Sequence, residues 1–303
     1  MNGNTSLQLS STASLFLVSF TSLQIIIGSL SNGFVIVTFL AARELRKRPS
    51  DLFILNLAVA DLIFLTTYQP WLTHVLNQKA VITIQDGFYV YESLSTFVNL
   101  SSQQAIILIA IDRLIAVVLP LRYKTLVTRK VIYISILTSW TFALFLGILT
   151  YPYYLFKLKN VFVFFISFEL FLMLGIFIIY TVIFTIIIKQ SRKTLKQRRN
   201  FEIENEESNH VRLARVSKIT LNTFLLVFLF YASILPIMIY TAYSSLVIRK
   251  QFKEQMLTRS WLYTFNSLNS CVNPFIYILR TKRFRKACYR FWCKMISRGH
   301  DTN

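Results

Sequence analysis

Seven stretches of the chain are long, apolar and nearly free of charge: about 14–41, 52–73, 88–119, 131–153, 161–188, 219–244 and 259–279. Each exceeds the ~18 residues that mark a membrane-crossing helix. Lipid offers the backbone no hydrogen-bond partner, so a spanning segment of this kind closes its own bonds as a helix. The pattern predicts an all-α fold: a seven-transmembrane helix bundle over 14–279, after an N-terminal segment 1–13 and before a tail 280–303. The connections are short except 189–218. That segment runs basic from Lys189 to Arg199, acidic over Glu202–Glu207, and basic again at Arg212 and Arg215. It reads as a solvated loop flanked by helix ends that leave the membrane. There is no internal repeat, and an odd number of spans argues against the duplicated halves of many transporters.

Composition sharpens this picture. Of 303 residues 54% are hydrophobic and only 15% charged, more apolar surface than a water-facing protein can cover. Loops and tails leave too little chain for a catalytic domain, so an enzyme is not expected. The net charge of +20 does not imply nucleic acid, because long apolar runs separate the basic residues. None of the three cysteines falls in a segment expected outside the cell, so no disulfide framework is expected, and Cys271 reads as a small core residue.

Loop charge sets the orientation. Four Lys/Arg lie in 42–51, four in 119–130, nine in 189–218 and eight in 280–303; with Arg113, that places 26 of 33 on one side. The positive-inside rule puts this side in the cytoplasm, with the N-terminus outside. The first run has no basic region before it, has no small-residue cleavage site and is too long for a signal peptide, so it is expected to remain as an anchor. Asn4-Thr5-Ser6 is then an extracellular glycosylation acceptor. Asn99-Leu100-Ser101 has the same pattern but falls within a span.

Polar groups are costly in lipid, so those inside the spans are expected to face the bundle interior. In the seventh span Asn266, Asn269, Ser270 and Asn273 follow the i, i+3, i+4, i+7 spacing of one helical face. In the third, Glu92, Thr96, Asn99 and Gln103 form a second stripe, with Ser102 beside it. Interhelical hydrogen bonds at ~0.6–2 kcal/mol each account for the neutral members. Asp61, mid-way through the second span, needs more: a cation, a proton or several donors. Pro236 and Pro274 each remove a backbone donor inside a span and leave a carbonyl that a neighbour must satisfy.

These residues fall into a familiar order. Asn273-Pro274-Phe275-Ile276-Tyr277 resembles the NPxxY motif of rhodopsin-like (class A) G protein-coupled receptors. Asp112-Arg113-Leu114 resembles their Asp-Arg-Tyr, and Leu57-Ala58-Val59-Ala60-Asp61 their second-span LAxAD. Ser31-Asn32-Gly33-Phe34-Val35 resembles the first-span GNxxV, and Trp140, Phe230 and Pro236 match fourth- and sixth-span landmarks. Arg283-Phe284-Arg285-Lys286 resembles the start of the amphipathic helix that follows the seventh span. The matches run in order through essentially the whole chain.

The resemblance implies a plasma-membrane receptor that binds an extracellular ligand and activates a heterotrimeric G protein as the sixth helix moves outward. Arg113 would be the switch, held by Asp112 at rest, with Tyr180 and Tyr277 bridging the open state and Asn273 and Pro274 in the hinge. Asp61, Ser102, Asn269 and Asn273 would form an allosteric sodium pocket, the one cofactor implied. Cys288 and Cys293 are candidates for palmitoylation. The departures matter too. The tryptophan and cysteine before the sixth-span proline are Ile234 and Ser233, the third-span cysteine and the fifth-span proline are absent, and the second outer loop (about 154–160) is very short. The missing third-span cysteine with its disulfide, the missing fifth-span proline and the short second outer loop are traits also seen in melanocortin-, cannabinoid- and lysolipid-type receptors. Ser95 stands where amine receptors carry an aspartate, which disfavours an amine ligand held in the usual way.

Ligand-lining candidates in the outer halves of the spans are Tyr68, Trp71, Glu92, Ser95, Thr96, Asn99, Glu169, Met173, Met238, Tyr240 and Tyr263. Glu169, ~12 Å into the fifth span by helix rise, has no evident basic partner; it is either protonated within the bundle or meets a cationic ligand group. Glu92, nearer the surface, is expected to pair with a loop lysine. Two other functions fit the sequence less well: a transporter or channel using Asp61, Glu169 and the asparagine stripe, and a receptor-shaped dimer partner, which Ile234 and Leu114 would suit.

Overall fold

A computed structural model describes residues 11–77, 85–156, 159–200, 206–246, 252–280 and 282–300. Asn4, and the outer basic residues Lys79, Lys157, Arg249 and Lys250, lie outside the described residues. Every described element is helical. The long helices are α1 (Ser11–Ala41), α3 (Asp51–Asn77), α4 (Gln85–Val118), α6 (Arg129–Phe156), α7 (Lys159–Asn200), α8 (Glu206–Leu246) and α9 (Phe252–Arg280). The short helices α2 (Arg43–Arg46) and α5 (Tyr123–Leu126) sit in the connections, and α10 (Lys282–His300) follows the seventh span. The helices α7 and α8 run 42 and 41 residues, well past the ~20 needed to cross lipid, and take up much of the stretch read as loop.

Packing closes the bundle. The helix α1 lies against α3 and α9, α3 against α4, and α4 against α6, α7 and α8; α8 then meets α9, which returns to α1 and α3. Large apolar side chains point outward all round, among them Phe16, Leu30, Leu137, Phe145, Phe171, Phe177 and Ile239, while Asp61, Asn32, Gln69, Ser267 and Asn273 are buried. That distribution inverts the soluble pattern and suits lipid as solvent.

Six of these helices are apolar enough to cross a membrane by composition among the described residues; α9 is the exception. Its polar stripe is the reason. Asn266, Ser267, Asn269, Ser270 and Asn273 are all buried against other helices, so the residues that lower its hydropathy never meet lipid. An average over the whole helix cannot distinguish inward from outward.

Prolines 70, 152, 236 and 274 all lie inside helices. Pro274 cannot donate to the carbonyl of Ser270, four residues back. The Asn32 side chain of α1 takes that carbonyl instead, Nδ2 to oxygen at 2.9 Å. Two sequence landmarks are thereby one structural unit. Nearby, Gln24, Gln69 and Ser267 tie α1, α3 and α9 together: Gln69 Nε2 donates to Ser267 Oγ (2.8 Å), Ser267 Oγ to Gln24 Oε1 (2.8 Å), and Gln24 Nε2 to the Thr264 carbonyl (2.9 Å).

Candidate functional site

The polar side chains collect in three levels along the bundle axis. The outer level is a cavity of about 150 Å³ among α4, α6, α7, α8 and α9. Of the expected ligand-lining residues, Ser95, Thr96, Asn99, Glu169, Met238 and Tyr263 line it; Thr150, Phe165, Ile237, Thr241 and Asn266 join them. Ile234, where a tryptophan was expected, lines it as well.

The remaining candidates lie elsewhere. Tyr68 and Trp71 belong to an aromatic cluster with Phe64 and Tyr263, the Tyr68 and Tyr263 rings 5.1 Å apart. Met173 packs against the lower core, and Tyr240 is half-buried off the cavity. Glu92 is not the exposed acid expected from its place near the helix start: it is 4% exposed, and its charge and that of Arg259 both act on Tyr263.

Below the cavity, Asn266 joins three helices. Its Nδ2 donates to Asn99 Oδ1 of α4 (3.1 Å), and Ser233 Oγ of α8 donates to Asn266 Oδ1 (3.0 Å). Asn99 Nδ2 donates in turn to the Ser95 carbonyl at 2.9 Å. Ser233, noted in the sequence only as a departure, is the link from α8 into this chain. Glu169 finds a neutral partner on α4: Gln103 Nε2 donates to its Oε2 at 2.5 Å.

The middle level is built on Asp61, which is fully buried. It receives the several donors that its position demanded: Ser102 Oγ (3.2 Å) and Ser270 Oγ (2.9 Å) on Oδ1, and Asn273 Nδ2 (2.8 Å) on Oδ2. Ser270, known from the sequence only as part of the stripe, takes the place expected of Asn269, which makes no hydrogen bond to Asp61. The side-chain oxygens of Asn269 and Asn273 are instead buried without a partner. A buried carboxylate bonded by two hydroxyls and Asn273, with unpaired amide oxygens on Asn273 and, one helical turn away, Asn269, is a hard-oxygen donor set, which fits a small monovalent cation.

At the inner level Arg113 pairs with the neighbouring carboxylate of Asp112. Tyr123, from the short helix α5, donates its hydroxyl to the other oxygen of Asp112 at 2.7 Å. Burial and the adjacent Asp112 charge push the Tyr123 hydroxyl up to about 12, so it remains a donor at any physiological pH. No sequence motif signalled Tyr123, because its helix is only four residues long. Tyr180 and Tyr277 are both buried, Tyr180 against the rings of Phe184 and Phe224, and the Tyr277 hydroxyl has no partner. Trp140 donates from Nε1 to Asn56 Oδ1 at 2.8 Å, fastening α6 to α3.

The two tail cysteines differ. Cys288 is buried with Phe284 and Ala287 on the inward face of α10, and burial pushes its thiol up; Cys293 is exposed. The helix is held to the first inner connection by Arg283 on the Glu44 carbonyl (3.0 Å) and by the pair Arg290–Glu44.

The family model described as the seven-transmembrane receptor (rhodopsin family) matches residues 31–277. The chain belongs to the rhodopsin family of seven-transmembrane receptors. Among curated members of that family, cannabinoid receptor 1 of Xenopus laevis is 28% identical over 93% of this chain and 63% of its own length. Cannabinoid receptor 1 of Taricha granulosa is 28% identical over 90% of this chain and 63% of its own. The D(1C) dopamine receptor of Xenopus laevis is 30% identical over 48% of this chain and 30% of its own length. The chain thus spans a little under two thirds of the cannabinoid receptors it matches, and most of it is the receptor bundle. Membership makes α9 the seventh span despite its polar stripe, and accounts for the order of the motifs through the chain. Members of this family are receptors, not enzymes.

Proposed function

We propose that this chain is a plasma-membrane receptor, N-terminus outside, that binds an extracellular ligand in the outer cavity and activates a heterotrimeric G protein at its inner end. The observation that carries the reading is the buried polar column. It begins at the cavity with Ser95, Asn99, Asn266 and Ser233, passes through Asp61 with Ser102, Ser270 and Asn273, and ends at Asp112, Arg113 and Tyr123. Apart from the Asn99–Ser95 bond within α4, these hydrogen bonds cross between helices, and α8 enters through Ser233 on Asn266, so a shift of α8 acts on the chain at that link. A ligand that favours one arrangement of these bonds shifts the population by its differential affinity.

In the resting arrangement Asp112 and Tyr123 hold Arg113. Outward movement of the inner end of α8 would free Arg113 for the G protein, with the Tyr180 and Tyr277 hydroxyls taking up the gap. Sodium is proposed at Asp61, with Ser102, Ser270, Asn269 and Asn273 around it; the ion would supply the positive charge that a buried carboxylate favours and would stabilise the resting packing. Asn4 is proposed as the glycosylated residue. For lipidation the exposed Cys293 is the better acceptor than Cys288. Anionic lipid is expected along the basic face of α10.

The test is nucleotide exchange on purified G proteins by the receptor in lipid nanodiscs. Exchange above the empty-disc rate is expected, with Arg113→Ala lowering it to that rate while the unfolding midpoint is kept. Exchange unaffected by Arg113→Ala, or ion flux with no exchange, would overturn the reading.

A further inference from the structure

We propose that the ligand carries a protonated amine and that Glu169, on the fifth span, is its anchor. This rests on the reading of the outer cavity as the ligand site. Glu169 is the one charged residue among the described residues lining the cavity. Gln103 engages a single oxygen of its carboxylate, Oε2, and does so as a neutral amide. A carboxylate in a largely apolar cavity with no cation beside it is costly, and a ligand cation removes that cost at the moment of binding.

The rest of the cavity describes the remainder of the ligand. Phe165, Ile166, Ile237 and Met238 give apolar walls on α7 and α8, beside Glu169. Ser95, Thr96 and Asn99 on α4 offer hydroxyl and amide groups across from them. The site fits a small amine with a short apolar body and a hydrogen-bonding far end.

The anchor also supplies a route to the moving helix. Gln103 Oε1 and the hydroxyl of Tyr231 on α8 are both buried without a hydrogen-bond partner. Tyr231 lies within electrostatic reach of Glu169 and beside Gln103. Gln103 thus stands between Glu169 on α7 and Tyr231 on α8, so a ligand ammonium that takes Glu169 acts on the Gln103–Tyr231 contact between α4 and α8.

The experiment measures the unfolding midpoint of the purified receptor with paired probes: 2-phenylethylamine, cyclohexylmethylamine and n-pentylamine, each beside the alcohol of the same carbon skeleton. At least one amine is expected to raise the midpoint while its alcohol does not. Glu169→Gln keeps the shape and the contact with Gln103, and is expected to weaken that amine's apparent affinity roughly tenfold or more. Glu169→Asp is expected to retain part of it. The unfolding midpoint of Glu169→Gln without probe controls for folding. An amine and its alcohol acting equally, or an amine effect that survives in Glu169→Gln, would overturn the cation anchor and leave the cavity reading intact. An amine effect that survives Met238→Trp, which fills the cavity and leaves Glu169 in place, would overturn the cavity reading itself. No response of the wild-type receptor to any of the three amines would also count against the proposal.

Discussion

At the scale of single residues, the structure turns on how buried charges are satisfied. Asp61 has three donors and, among the described residues, no ion-pair partner, and the side-chain oxygens of Asn273 and Asn269 stay unpaired. Replacing choline with sodium is therefore expected to lower ligand-free nucleotide exchange in the wild type, and Asp61→Asn to flatten that dependence. An unchanged sodium response in Asp61→Asn would remove the ion from this layer. Tyr123 is the second case. Its hydrogen bond to a charged acceptor is worth ~1.5–3 kcal/mol and belongs to the resting arrangement, so Tyr123→Phe is expected to raise ligand-free exchange several-fold. The pH dependence has a definite sign. With the hydroxyl raised from 10 to about 12, the contribution of Tyr123 is complete below pH 10 and is lost as pH rises through 12. The ratio of mutant to wild-type exchange should stay constant between pH 6 and 9. The sequence showed Asp61 as a residue in need of partners and placed Asp112 beside Arg113. It did not single out Ser270 or Tyr123 as their further partners, because both arrive from elsewhere in the chain.

Among the helices, close approach and backbone repair decide the packing. At Gly147 in α6 a Cβ would stand 2.7 Å from Phe97 Cβ and 3.1 Å from the Ser93 carbonyl of α4. Neither atom can swing aside, so Gly147→Ala is expected to force α4 and α6 apart at a cost of ~1–3 kcal/mol, read as a lower unfolding midpoint. At Gly28 a Cβ would mostly meet the ends of the Leu65 and Cys271 side chains, which have more freedom to move, so Gly28→Ala should cost less. The Asn32–Pro274 unit makes a sharper prediction. Asn32→Ala leaves the Ser270 carbonyl without its donor and is expected to cost ~1–2 kcal/mol. In a Pro274→Ala background the restored backbone N–H takes that carbonyl, and the same substitution should cost less. Equal costs in both backgrounds would show that the two residues are independent. Helix existence was legible from apolar length alone, with ends displaced by a few residues. Helix ends leaving the membrane were expected around 189–218, but not that α7 would reach Asn200 and α8 start at Glu206, because there the helix continues in polar sequence that carries no apolar signal.

Taken whole, the molecule has two ends of different character with buried polar groups at three levels between them. Charge predicts the orientation: the positive-inside rule would put the basic connections in the cytoplasm. If Asn4 is outside, Asn4→Gln should abolish a glycosidase-sensitive mass shift of the receptor from cells. The membrane fold was readable because lipid imposes a strict length and polarity on each span. The outer cavity was only partly readable. Six of its residues could be named from depth and polarity, whereas Tyr68, Trp71, Glu92, Met173 and Tyr240 lie off it because depth does not fix helix rotation. The central claim is that the bundle has two packings related by movement of the inner end of α8. Spin labels at Lys124 and Lys218, both exposed at that end, test it most directly through their distance distribution in nanodiscs. The account predicts a second, longer-distance population that grows when nucleotide-free G protein is added and is already enlarged in Tyr123→Phe. A single distribution, unchanged by G protein and by that substitution, would contradict it.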